Sequence, residues 1–282
     1  MTTPPPTPAA TVAPADVRPL RIAHLYPSLL NVAGDGGNVT AVVRRAAWRG
    51  YATAVTDVGL GAADGLADAD LVFFHGGQDV EMEVVAADLS AKRDALHDAV
   101  AAGAVVFGVC AGLQLLGHRY VPSAGPALDG LGLLDLETRG GPTRFMQHAA
   151  VEVDLGGETT TVVGFENHSG VTRLGPGAAA FGTVVAGAGN NGEDGSEGAR
   201  AGRVLATYLH GPVLPKNPTL ADYLLALALE RAAGAPVHLA ALDDTVERRN
   251  HAVALRRAMD GRGQVSVLAP ARLARDLGGG GR

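Results

Sequence analysis

A single cysteine, Cys110, stands among 282 residues. That excludes a disulfide within the chain and any site built from several thiolates. Lysine is nearly missing as well, confined to Lys92 and Lys216, whereas arginine, alanine and glycine are plentiful. The skew reads as compositional bias and carries no functional signal. Positive charge is in deficit, with a net charge of −6, so there is no basic footprint for nucleic acid. No apolar run approaches the roughly 20 residues that span a bilayer. The opening residues 1–19, MTTPPPTPAATVAPADVRP, lack the charged and continuous apolar parts of a signal peptide, and a disordered tail is expected there. The location expected from these absences is cytoplasmic. Walker A sequences and clusters of metal ligands are missing too, so no metal or nucleotide cofactor is expected in this chain.

What is present is a chain long enough to bury a substantial core. Residues 21–26 (RIAHLY), 51–58 (YATAVTDV), 70–74 (DLVFF) and 104–109 (AVVFGV) read as strands. Residues 38–50 and 89–102 between them read as helices. The last of these strands has no polar interruption, as expected where helices cover both sheet faces. The alternation predicts an α/β fold with a mostly parallel central sheet. The second half is strand-rich, with short candidates at 131–138, 149–154, 160–166 and 203–209. A polar glycine-rich loop is expected over 187–202, a long helix over 219–233, and one amphipathic helix after Asp243. One domain over 20–235 is expected, followed by a helical extension and flexible tail over 236–282.

A lone cysteine is ordinarily a small core hydrophobe, so its neighbours must decide. Cys110 sits in Gly108-Val109-Cys110-Ala111-Gly112, after a buried strand and before a helical segment at 113–120. That is a nucleophile elbow with Cys in place of Ser. A helix N-terminus favours thiolate there, and the Ala111 amide would face a developing oxyanion. Such a nucleophile needs a base. Of nine histidines, His97 and His118 read as solvated, and His24 and His75 follow strands that end near the sheet's carboxyl edge. His210 is placed best, closing the strand of VLATYL before Gly211-Pro212. Gly76-Gly77 in HGGQD supplies a turn whose backbone can approach a substrate closely, as the other half of an oxyanion hole.

Taken in order, HGGQD, GVCAGLQLLG and YLHGP resemble the class I glutamine amidotransferases, a flavodoxin-like α/β family, in their cobyric-acid-synthase-like branch. The spacing agrees, with about 33 residues from Gly77 to Cys110 and about 100 from there to His210. SLLNVAGDGGNVTAVVRRAAWRG, LDGLGLLDLETR, VGFENHSG, GNNGEDGSEG and ATYLHGPVLPKNPTLADYLL narrow the resemblance to GatD-type glutaminase subunits of lipid II isoglutaminyl synthase, over about residues 20–260. The resemblance implies that Cys110 is the nucleophile, His210 the general base, and the Gly77 and Ala111 amides the oxyanion donors. It gives Arg144 the glutamine α-carboxylate, which suits a guanidinium fork, and Gln114 a place in shaping the pocket. It also implies a heterodimer with a Mur-ligase-like (MurT-type) subunit, which would hold ATP and Mg²⁺ and meet lipid II at the membrane.

One departure stands out. Ordinary class I domains carry an acid two positions after the catalytic His, and here that position is Pro212. Asp222, a backbone carbonyl or a carboxylate from the partner would have to orient the base, and the partner is the expected source. Low glutaminase activity of the isolated chain would follow. Two rival readings remain: a glutaminase serving another acceptor, such as a cobyrinic acid, and a silent scaffold for a synthetase.

Overall fold

A computed structural model describes residues 13–31 and 33–261. Strands β1 (Leu20–Leu25), β2 (Thr53–Val58), β3 (Leu71–Phe74) and β4 (Val105–Val109) are separated in part by helices α1 (Gly37–Trp48) and α2 (Asp79–Ala101). Helix α3 (Ala111–Leu116) follows β4 at once. Then come β5 (Arg119–Val121), β6 (Leu128–Asp129), β7 (Leu136–Asp154), β8 (Thr159–Leu174), β9 (Gly182–Ala186), β10 (Ser196–Glu197), β11 (Ala199–Ala201), β12 (Val204–Thr207) and β13 (Leu209–His210). Helices α4 (Pro218–Ala233) and α5 (Thr245–Asp260) close the described chain.

The central sheet has the order β11-β12-β4-β3-β1-β2 and is parallel apart from the antiparallel edge strand β11. Every residue of β3, β4 and β12 is buried, which is why those strands read as unbroken apolar runs. The second sheet is built on the β7–β8 hairpin, with β5, β6, β9, β10 and β13 attached. The α/β class expected from the sequence is thus the one observed.

Several local expectations differ. Helix α2 begins at Asp79, ten residues before the expected start, because Met82, Val85, Ala86 and Leu89 already form a buried stripe at helical spacing. Helix α3 stops at Leu116, and Arg119 and Tyr120 at the end of the expected helix instead lie in β5, which pairs with β6 and β7. The strands expected at 131–138 and 149–154 are largely replaced by β7, a single long strand whose register shifts between Gly140 and Phe145. The expected loop at 187–202 contains β10 and β11, which join the second and the central sheet respectively. Its polar residues are buried for bonding: Asn191 donates to the Thr172 carbonyl, and Glu197 accepts from the Thr207 hydroxyl and the Tyr208 amide.

The amphipathic helix expected after Asp243 is α5, whose Ala258 is buried against Ala150, Val163 and Ala186. An ionic cluster ties this end of the chain to α1. Arg45 bonds Asp222 and Asp244, and Arg49 bonds Asp222 as well. Residues 1–12 of the expected N-terminal tail and 262–282 of the expected C-terminal tail lie outside the described residues.

Candidate active site

Cys110 occupies the turn between β4 and α3 with φ +51° and ψ −98°. Tyr26 is the other non-glycine residue at positive φ among those described. Such backbone costs about 1–3 kcal/mol and persists only where surroundings enforce it. The Cys110 amide donates to the Thr207 carbonyl at 2.8 Å, and its carbonyl accepts the Gln114 amide at 3.0 Å. Gly112 is required for the same turn: a Cβ there would collide with the Phe74 carbonyl, so only glycine lets α3 rest on the end of β3. Ala111 is the first residue of α3, where an N–H has no acceptor within the helix.

His210 lies in β13, which pairs with β8 and brings the imidazole to the carboxyl end of the central sheet. Its Nδ1 is 2.9 Å from Oδ2 of Asp35, a completely buried carboxylate in the loop between β1 and α1. The Gly211 amide donates to the other Asp35 oxygen. Burial alone would lower the His210 pKa, but the nearby Cys110 and Asp35 push it up to about 10. Burial likewise opposes charge on Asp35, yet the His210 contact holds its pKa below the usual carboxylate range. Cys110, His210 and Asp35 therefore form one buried set with a shared charge balance.

The sequence points to the partner for the acid, and the structure places a carboxylate of this chain, Asp35, at His210. Asp222 is excluded, because Arg45 and Arg49 hold it. Pro212 packs where the loop of Asp35 begins α1: a Cβ on Gly37 would stand 2.6 Å from the Pro212 ring. Asp35 is not legible from the neighbourhood of His210, because the two lie 175 residues apart in the chain. The available signal was its position after β1, at the sheet edge where parallel folds collect chemistry.

Gly76 and Gly77 pass close to this set. A Cβ on Gly76 would lie 2.6 Å from the His210 ring and 3.1 Å from Asp35, and one on Gly77 would collide with Leu30. Gly77, Cys110, Gln114 and Arg144 line one cavity of about 270 Å³, at the small end of ligand sites. The structure thus brings Gly77, Cys110, Gln114 and Arg144 to one cavity, with Ala111 adjoining Cys110 and His210 close to it. Arg144 donates from Nε to the Asn167 amide oxygen at 2.9 Å. Gln114 is buried and reaches the Tyr208 hydroxyl at 3.3 Å, so it also packs the cavity floor.

Among the other histidines, His168 carries no obvious sequence signal, whereas His24 and His75 follow strands at the sheet's carboxyl edge. His168 stacks on Tyr208 with centroids 3.6 Å apart, and burial drives its pKa down to about 3. His75 is driven down to about 3 by burial and by His24, whose Nε2 lies 3.1 Å from His75 Nδ1. Both rings are neutral at ordinary pH. His118 is exposed, as expected, while His97 is not free in solvent but bonds the Leu131 carbonyl at 2.8 Å.

Residues 21–218 match the CobB/CobQ-like glutamine amidotransferase domain family. The chain is 36% identical over 239 residues to the lipid II isoglutaminyl synthase (glutamine-hydrolyzing) subunit GatD of Staphylococcus aureus strain N315, covering 85% of this chain and 96% of that one. It is 36% identical over 230 residues to the subunit of the same name from Streptococcus pneumoniae strain ATCC BAA-255 / R6, covering 81% and 88%. Among solved structures, a glutamine amidotransferase superposes with a TM-score of 0.51 at 21% identity, over 73% of this chain and 98% of that one, a likeness of fold.

Proposed function

This chain belongs to the CobB/CobQ-like glutamine amidotransferase family, in its branch of GatD subunits, and from that premise we propose that it hydrolyses the side-chain amide of L-glutamine and passes the ammonia to a Mur-ligase-like partner. The partner would use ATP and Mg²⁺ to amidate the D-glutamate α-carboxyl of lipid II, giving D-isoglutamine for peptidoglycan. The observation that carries the chemistry is the strained Cys110 beside the buried His210–Asp35 pair.

The cycle is acyl transfer. The Cys110 sulfur attacks Cδ of glutamine, and a C–S bond forms as the carbonyl oxygen becomes an oxyanion. The Gly77 and Ala111 amides face that oxygen. Imidazolium at His210 then donates its proton to the amide nitrogen, the C–N bond breaks, and ammonia leaves. His210 next takes a proton from water, which attacks the thioester and releases glutamate and the thiol. Asp35 receives the Nδ1 proton as a hydrogen bond, leaving Nε2 for Cys110, and stabilises the imidazolium. Arg144 holds the glutamine α-carboxylate, and Gln114 shapes the pocket wall.

Incubation with 6-diazo-5-oxo-L-norleucine, followed by mass spectrometry, tests the assignment. A single adduct on Cys110, blocked by excess L-glutamine, is expected. An unlabelled Cys110, or labelling that glutamine does not compete, would refute it.

A further inference from the structure

The proposed reaction consumes one end of glutamine and leaves the other, a zwitterion, to be recognised. Arg144 supplies a single positive group for the α-carboxylate, so an anion is needed for the α-ammonium. The cavity holding Cys110 and Arg144 is also lined by Asp79, the first residue of α2. A carboxylate in a first helical turn is favourable by itself, but the helix does not account for where this one is tied. The hydroxyl of Tyr120, from β5, donates to Asp79 Oδ1 at 2.9 Å.

Tyr120 is a firm anchor, being 3% exposed and itself part of the cavity wall. Burial first, and then the charge of Asp79, raise its pKa, with Cys110 close enough to add to the effect. The phenol therefore stays protonated and stays a donor. Asp79 itself remains exposed, with its second oxygen not engaged by Tyr120, and no Arg, Lys or His among the described residues comes within ion-pair distance of it. A carboxylate fixed beside a nucleophile, with an arginine in the same small cavity and no cation of its own, matches the charge pattern of a free α-amino acid.

We propose that Asp79, positioned by Tyr120, accepts the α-ammonium of L-glutamine and makes the site selective for substrates with a free α-amino group. This assignment rests on the glutaminase reading. It identifies Asp79 as a specificity residue and Tyr120 as a positioning residue that never touches the reacting atoms.

The test compares ammonia release from L-glutamine and from its deamino analogue, 4-carbamoylbutanoate, using the full chain. A charge-assisted hydrogen bond to the ammonium gives a preference in kcat/KM of about 10- to 100-fold for L-glutamine. In Asp79→Asn that preference is expected to fall to near unity, through KM more than kcat. Tyr120→Phe is expected to give an intermediate preference, since the carboxylate is retained but no longer held. A preference unchanged in Asp79→Asn, or equal losses on both substrates, would overturn the subsite while leaving the glutaminase reading intact. Ammonia released from neither substrate by the unaltered chain would overturn both.

Discussion

At the residue scale, the proposed chemistry depends on a proton held between Cys110 and Asp35. His210 is raised to about 10, so its protonated form persists through neutral pH and is lost only as pH passes that value. Glutaminase activity limited by ammonia departure is therefore expected to hold between about pH 7 and 9 and to decline above it. Asp35→Asn keeps the shape but removes one of the anions sustaining that pKa. It is expected to lower kcat by about 10²- to 10⁴-fold and to move the alkaline limb to lower pH. A pH–rate profile checks both, and an unshifted limb would mean that Asp35 does not act on His210. Glu197 makes a second, independent case. Its complete burial raises its pKa to about 8, although it accepts from Thr207 and Tyr208, and its other oxygen has no partner among the described residues. Between the ordinary glutamate value and about 8 the unfolded chain gives up this proton and the folded one keeps it, so stability falls as pH rises. Glu197→Gln is expected to be stabilising at pH 8 relative to pH 5, as read by denaturant titration at the two values.

At the element scale, the site is made by three turns at the carboxyl ends of β1, β3 and β4, with β13 laid across them. Gly76 shows how closely they meet, since a methyl there would press on the His210 ring. Gly76→Ala is expected to displace the imidazole and reduce kcat by about 10²-fold, the size of effect that a misplacement near 1 Å brings, while the melting temperature changes little. Far from the site, Arg45 holds Asp222 and Asp244 together at the junction of α1, α4 and α5. Arg45→Ala leaves Asp244 without its cation in a largely buried place and is expected to destabilise by about 3–5 kcal/mol, measurable by urea unfolding.

These elements also mark what could be read in advance. The buried central strands were legible because burial on both faces writes an apolar run, and the elbow because its glycines flank Cys110. His210 followed from the end of a strand. The long β7–β8 hairpin was not legible: glycines at 140 and 141 look like a break, whereas they sit where the pairing register shifts. Asp35 was hidden in the glycine-rich loop, since contact between residues 35 and 210 is a property of the folded sheet. The polar segment around Asn190 and Asn191 was misread because its side chains bond backbone and one another, a use that composition does not distinguish from solvation.

At the scale of the whole molecule, the described part is two sheets sharing one site, clamped by α5 and by the segment that carries β10 and β11. No helix among the described residues is long and apolar enough to cross a membrane. The buried acid matters most here. With Pro212 in the usual place of the acid, a partner carboxylate was the expected completion, but Asp35 already fills that role in geometry within this chain. The proposed division gives the acceptor chemistry to the partner and glutamine cleavage to this chain. The direct test is ammonia release from L-glutamine by the purified full chain without any partner. The account expects Cys110-dependent turnover that is abolished in Cys110→Ala and strongly reduced in Asp35→Asn. Turnover that appears only after a synthetase subunit is added, or that survives Cys110→Ala, would contradict it.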